Sequence, residues 1–154
     1  MRNGGHAMEI ERKFLLNELP EDLDSYPHTE IEQAYLSVDP VVRVRRDGDA
    51  YYLTYKGKGL LIREETNLPL TETSYRHLLE KHDGRVILKT RYRIPLPPYT
   101  VELDVFHGAY EGLVLAEVEF PSVEEALAFT PPAWFKEDVT RNPEYHNSRL
   151  SLQP

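Results

Sequence analysis

One pattern limits what this chain can become: segment after segment alternates charged and apolar residues with a period of two. In MEIERKFLL, residues 8–16, the alternation sends Glu9, Glu11 and Lys13 to one side, because successive side chains of a strand point to opposite faces. VVRVRR places Arg43 and Arg45 against Val42 and Val44, and YYLTYKG aligns Tyr52, Thr54 and Lys56. IREETN aligns Arg63, Glu65 and Asn67, and LKTRYRI aligns Lys89, Arg91 and Arg93. VELDVF pairs Glu102 with Asp104, and LAEVEF pairs Glu117 with Glu119. The charges are sorted by sign. Bases stand alone in VVRVRR, YYLTYKG and LKTRYRI, and acids stand alone in VELDVF and LAEVEF.

Strands are expected at 8–16, 31–38, 41–47, 50–57, 60–68, 84–94, 99–107 and 113–120, separated by turn signals such as VDP, DGD, GKG and LPP. The DGD turn between two alternating runs predicts a hairpin, with Gly48 free to take a positive φ. Helices are expected at 71–84, at 122–129 with Ser122 and Glu125 as a capping box, and at 142–151 with Asn142 as cap and Pro143 at the first position. Eight consecutive antiparallel strands of similar length predict a mainly β, α+β fold: a closed barrel with outer helices. Residues 1–7, MRNGGHA, carry no pattern and read as a leader or tag-like segment, leaving 8–154 as a single domain. Trp134 and Phe135 are expected to pack the C-terminal segment on the barrel.

Any one charged face is explained by a solvated surface crossed by salt bridges. The set is not. Exposed pairs are worth roughly 0–1 kcal/mol each, and like charges two apart on a strand repel unless something compensates them. The alternative turns the apolar faces outward and the charged faces into a lumen with a cationic wall and an acidic patch. Grouped Arg and Lys suit phosphate oxygens. Grouped carboxylates, with no cysteine and no histidine pair at ligand spacing, suit the hard cations Mg²⁺ or Mn²⁺. A polyphosphate chelated to a metal needs both walls side by side.

The net charge of −8 argues against nucleic acid as a partner. The absence of cysteine excludes disulfides and thiolate chemistry and fits a reducing compartment. No apolar run approaches the roughly 20 residues of a membrane span. The expected setting is the cytoplasm, without membrane or nucleic-acid partners, as a monomer or homodimer.

The motifs also resemble a known family. EIERK, RVR at 43–45, LTYKG at 53–57, LKTRY at 88–92, ELDVF at 102–106 and EVEF at 117–120 are similar, in order, to the signature of the CYTH superfamily, the triphosphate tunnel metalloenzymes. The similarity is strongest toward small bacterial members that hydrolyse inorganic tripolyphosphate. The resemblance implies an eight-stranded tunnel barrel. It implies Glu9, Glu11, Asp104, Glu117 and Glu119 as metal ligands, and Lys13, Arg43, Arg45, Lys56, Lys89 and Arg91 as triphosphate ligands. Glu65 and Glu102 are implied behind the metal ligands or on metal-bound water. Two positions depart from the family pattern. Asn67 stands where many relatives have a second acid, and His146 where relatives often have a lysine, for which Arg149 is a candidate substitute.

Tyr35 has two readings, a packed aromatic or a lumen residue near Lys89. A lysine crowded by arginines has a lowered pKa, and with Tyr35 it is a candidate to deprotonate water. Two alternatives to tripolyphosphate hydrolysis stay open: a class IV adenylyl cyclase of the same fold, and a non-catalytic binder of polyphosphate or nucleotide. Against nucleotide, the chain has no glycine-rich phosphate loop, and the faces expected to line the lumen carry few uncharged polar residues beyond Thr54 and Asn67.

Overall fold

In the computed structural model, which describes residues 5–153, the strands are β1 (Gly5–Leu16), β2 (His28–Val38), β3 (Val41–Asp47), β4 (Ala50–Lys56), β5 (Ile62–Pro69), β6 (Asp83–Leu96), β7 (Tyr99–Phe106), β8 (Val114–Glu119) and β9 (Phe135–Asp138). The helices are α1 (Glu72–Leu79), α2 (Val123–Ala128) and α3 (Asn147–Leu150). Neighbours run β5-β4-β3-β2-β6-β7-β8-β1. The circle closes where β1 also pairs with β5, Ala7 opposite Glu65 and Ile10 opposite Ile62. This is the expected closed eight-stranded antiparallel barrel. Beyond Phe14, β9 takes the edge of β1 that β5 occupies up to Ile10, since Phe14 pairs with Ala116 of β8 on one side and Asp138 of β9 on the other.

The alternation sorts as read. Ile10, Phe14, Ile94, Val101, Leu103 and Val118 form one core on the outer face of β1, β6, β7 and β8, covered by α2 and by Phe129, Trp134 and Phe135. Arg12 fastens α2 to the barrel: its guanidinium donates to the carbonyls of Ala126 and Phe129 at 2.9 and 3.0 Å and pairs with Asp138 at 2.8 Å. On the opposite flank α1 lays fully buried Tyr75 against Tyr51. A second core closes one end of the lumen. There the inward rows turn apolar, at Tyr35, Val41, Ile87, Phe106 and Leu115, and pack on Val139 and Leu150 from the C-terminal segment.

Several boundaries differ from the sequence reading. Of the segment read as a leader, residues 1–4 lie outside the described residues, and Gly5–Ala7 open β1 against Asn67, Thr66 and Glu65. The helix expected over 71–84 ends at Leu79, and Gly84 lies in β6 rather than at a helix stop. Gly84 has φ +65°, and a Cβ there would stand 2.3 Å from the Ser151 carbonyl, so glycine admits the C-terminal segment to the sheet. At α2, Ser122 accepts from the Glu125 N–H, but the Glu125 carboxylate takes the Tyr99 hydroxyl instead of completing a capping box. The helix expected over 142–151 breaks into a 3₁₀ turn (Pro143–Tyr145) and α3, with His146 extended between them. The break lets Lys13 Nζ reach the Tyr145 carbonyl at 3.0 Å. Strand β9 carries no alternation long enough to read. The Gly48 turn joins β3 to β4 as expected, with φ +60°. Among the described residues, no helix is long and apolar enough to cross a membrane.

Phe14 is fully buried between Phe129 and Phe135, at ring distances of 6.1 and 4.8 Å. Phe14→Ala is expected to lower unfolding free energy by about 3–5 kcal/mol. Leu127→Ala, at a residue 66% exposed, is expected to stay within about 0.5 kcal/mol. Urea denaturation of both variants measures the contrast.

Candidate active site

The lumen forms two connected compartments that share Glu9, Arg43, Arg45, Glu65, Arg91 and Glu102. The inner one adds Glu11, Lys13, Lys56, Lys89, Glu117 and Tyr35, and its closed end is finished by Thr140, His146, Asn147 and Ser148. The outer one adds Tyr52, Thr54, Asn67 and Glu119. Every residue expected to hold metal or triphosphate, together with Tyr35, Glu65 and Glu102, therefore lines the cavity except Asp104, which lies behind the wall, 1% exposed.

Asp104 anchors the cationic side. Arg91, directly across the β6–β7 ladder, donates from Nε and one terminal nitrogen to its two oxygens at 2.8 and 2.9 Å. Lys89 Nζ sits 2.7 Å from the same carboxylate. Burial alone would raise the Asp104 pKa, but Arg91 and Lys89 hold it below the ordinary value. Arg91 also faces Glu102 at 3.5 Å and Glu117 at 3.6 Å. Burial pulls Lys89 down to about 7 against the attraction of Asp104, with Arg91 and Arg45 pushing the same way. Burial, Arg43 and Arg91 bring Arg45 down to about 10.

The acidic side consists of two contacts. Glu9 pairs with Lys56 at 2.9 Å, and Glu65 lies 3.6 Å from the same ammonium. Against the effect of burial, Lys56 carries Glu9 down to about 2. Glu11 and Glu117 hydrogen-bond to each other through their carboxyl groups. Burial, Glu117 and Glu9 raise Glu11 well above 4.5, whereas Lys13 and Arg91 hold Glu117 well below it despite burial. The pair thus keeps one proton between two acids.

Among the described residues no three carboxylates or imidazoles form a ready cation cage. Of the five expected metal ligands, three share the inner compartment: Glu9, Glu11 and Glu117. Asp104 is committed to Arg91 and Lys89, and Glu119 stands exposed in the outer compartment. The donor set still suits a hard divalent cation, because two hydrogen-bonded carboxyls offer oxygen ligands once the proton between them leaves.

Three cations of the wall make no direct ion pair, although Lys13 stands across the β1–β8 ladder from Glu117 and acts on it at longer range. Among the described residues no carboxylate lies within ion-pair distance of Lys13, Arg43 or Arg45. Lys13 Nζ donates to the Tyr145 carbonyl, Arg45 Nε to Gln33 at 2.8 Å, and Arg43 to Thr54 at 3.1 Å. The Nε of Arg43, a residue 7% exposed, is buried without a hydrogen-bond partner.

The two departures have structural roles. Asn67 accepts from Thr54 and donates to Glu65 Oε1 at 2.9 Å, a donation that an acid would replace with repulsion. His146 lines the inner compartment. Burial, Lys13 and Arg63 lower it to about 4, so it is neutral at ordinary pH. Arg149 is no substitute for a lysine there, because it is exposed and pairs with Glu144 at 2.8 Å. Sequence reasoning missed Gln33 and Asn147. Gln33 shares the face of Tyr35 two residues on and was legible by period. Asn147 follows a helix break that no local signal announces.

An antiparallel barrel whose lumen carries unpaired cations beside an acid pair defines a tunnel protein for a multiply charged anion. The CYTH domain model matches residues 7–146, and the chain belongs to that family. It is 41% identical over 149 residues to an inorganic triphosphatase of Nitrosomonas europaea, covering 94% of this chain and 97% of that one. It is 36% identical over 157 residues to an inorganic triphosphatase of Acetivibrio thermocellus, covering 95% and 94%. The crystal structure of the inorganic triphosphatase NE1496 superimposes with a TM-score of 0.71 at 37% identity, covering 95% of each chain. A structure from Bacillus halodurans, TM-score 0.63 over 90% of this chain and 98% of that one, is 16% identical and shares the fold.

The sign of the Glu11 shift makes a test. A carboxyl whose folded pKa is raised destabilises the fold once it ionises, so stability falls as pH rises from the unfolded value through the folded one. Glu11→Gln is expected to stabilise the metal-free protein at neutral pH. The gain should disappear as pH falls toward 4.5, where the wild-type carboxyl is neutral as well. Thermal melts in chelator across that range measure it.

Proposed function

We propose that this protein hydrolyses inorganic tripolyphosphate to pyrophosphate and phosphate in a metal-dependent reaction. The observation that carries the reading is the set of cations in the lumen without a direct ion pair: Arg43 and Arg45, with Lys13 beside them, face the cavity with no carboxylate in ion-pair contact among the described residues, and Arg43 Nε is left buried and unbonded. Such groups are stable only beside an anion or with their charge reduced. The named activities of the relatives at 41% and 36% identity support the same substrate.

The polyphosphate oxygens are neutralised by Lys13, Arg43, Arg45 and Arg91, with Lys56 between the phosphate and Glu9. Glu11 and Glu117, beside Glu9, would hold a divalent cation, Mg²⁺ or Mn²⁺, which supplies Lewis-acid polarisation of a phosphoryl oxygen when bound. Glu65 and Glu102 also line the lumen, where they hold Lys56 and Arg91 in place. Lys89, near 7, takes or gives a proton at Nζ close to neutral pH and suits the activation of water. Tyr35 reaches Lys89 only through Gln33 and Asn147, so the two act through a network rather than in direct contact. Positioning and charge stabilisation supply most of the rate in such a reaction. The cysteine-free sequence supports a cytoplasmic setting.

Phosphate release from tripolyphosphate and from ATP, with Mg²⁺ or Mn²⁺ and chromatography of products, tests the reading. Tripolyphosphate is expected to be cleaved much faster, with no cyclic AMP, since the lumen is lined mainly by charged groups suited to a phosphate chain, one end is packed with Tyr35, Ile87, Phe106 and Leu150, and the sequence has no glycine-rich nucleotide loop. Cyclic AMP as the main product overturns the reading, and comparable release from both substrates broadens it to a general triphosphatase.

Arg45→Ala is expected to weaken tripolyphosphate binding by about 2–5 kcal/mol. Saturating tripolyphosphate with metal should raise the wild-type melting temperature by mass action. A melting temperature indifferent to both contradicts a triphosphate tunnel.

A further inference from the structure

At the closed end of the lumen two neutral carboxamides stand between two cations. Gln33, fully buried, accepts from Arg45 Nε through Oε1 at 2.8 Å. Its Nε2 donates to the Tyr35 hydroxyl and to Asn147 Oδ1, each at 3.1 Å. Asn147 Oδ1 also accepts from Lys89 Nζ at 2.9 Å. The O and N of a carboxamide are easily exchanged in a structure, but here both ends of the chain decide. A guanidinium and an ammonium only donate. Gln33 must therefore turn its oxygen to Arg45, and Asn147 must turn its oxygen to Lys89.

Two donors are left over. The Asn147 amide nitrogen has no partner among the described residues, and the residue lines the cavity. The Tyr35 hydroxyl accepts from Gln33 and keeps its own proton, and Tyr35 lines the cavity too. The neutrality of the two amides matters as much as their position. A carboxylate at either site would orient Arg45 or Lys89 equally well, but it would discharge the cation and repel a phosphate. A carboxamide orients the cation and leaves its charge for the ligand.

We propose that Gln33 and Asn147 form a positioning relay that holds Arg45 and Lys89 toward the substrate and directs the Asn147 amide and the Tyr35 hydroxyl to the oxygens of a terminal phosphoryl group. The assignment rests on the triphosphate reading of this cavity. It gives the C-terminal segment a direct part in the site, since Asn147 belongs to α3 and every other member of the relay to the barrel.

The test uses the full chain with isosteric and truncating variants: Asn147→Asp, Asn147→Ala, Gln33→Glu and Gln33→Ala. Calorimetric titration with tripolyphosphate in chelator reads binding without turnover, and steady-state hydrolysis with Mg²⁺ separates KM from kcat. Asn147→Asp and Gln33→Glu are expected to melt near the wild-type temperature yet bind tripolyphosphate at least about tenfold more weakly, as expected when a hydrogen bond to a charged group is lost and a like charge gained. Asn147→Ala, without the added charge, should show a smaller rise in KM and serves if the aspartate variant does not fold. Gln33→Ala frees Tyr35 and Arg45 together and should lower kcat more than it raises KM. A wild-type chain that binds tripolyphosphate while all four variants bind and turn over like it overturns the relay and leaves the function standing. A wild-type chain that binds no tripolyphosphate, with or without Mg²⁺, overturns the function and the relay with it.

Discussion

The bidentate contact between Arg91 and Asp104 is the interaction on which the order of the lumen depends. An eight-stranded barrel encloses little more than its own side chains, so charged faces turned inward meet each other with little water between them. Buried charges are tolerated only when they are paired and hydrogen-bonded. The β6–β7 ladder sets Arg91 directly opposite Asp104, and both carboxylate oxygens are satisfied by one guanidinium. Lys89 uses the same carboxylate, and Arg91 reaches on to Glu102 and Glu117. Loss of Asp104 would leave two buried cations without their shared anion.

That pairing is incomplete, and the incompleteness is informative. Glu9 and Glu65 answer Lys56, whereas Lys13, Arg43 and Arg45 find only carbonyl, hydroxyl or amide partners. On the acid side, Glu11 and Glu117 lower their mutual repulsion by sharing a proton. Both imbalances work against the empty fold and both are relieved by a polyphosphate with its cation. A lumen arranged for stability alone would match its charges internally. This one leaves an excess of each sign in place, the usual relation between stability and a functional site.

The C-terminal segment completes the cavity at the end where the inward rows turn apolar. Val139 and Leu150 cover Ile87, Phe106 and Leu115, and the Arg85 N–H donates to the Ser151 carbonyl at 2.8 Å. The break at His146 turns the Tyr145 carbonyl and Asn147 toward Lys13 and Lys89. The segment is held partly by the cations that line the site, so its position and the charge of the wall are linked.

The sequence by itself determined the barrel, the faces and the chemical type of the cavity. Alternation at period two depends only on strand geometry, and residues such as Glu9 and Glu11, or Arg43 and Arg45, must share a face wherever the strand goes. Turn signals such as the one at Gly48 are equally local. Only the tertiary structure decided who pairs with whom. It withdrew Asp104 behind Arg91 and Lys89, left Glu119 exposed in the outer compartment although it stands across the ladder from Glu11, and linked Tyr35 to Lys89 through Gln33 and Asn147. Partner choice across a barrel depends on register and on which rows meet when β1 closes on β5, information that periodicity within one strand does not contain. Strand β9 and the broken helix before α3 were unreadable for the same reason: their conformation is set by an open edge of β1 and by the reach of Lys13, each more than a hundred residues distant in the chain.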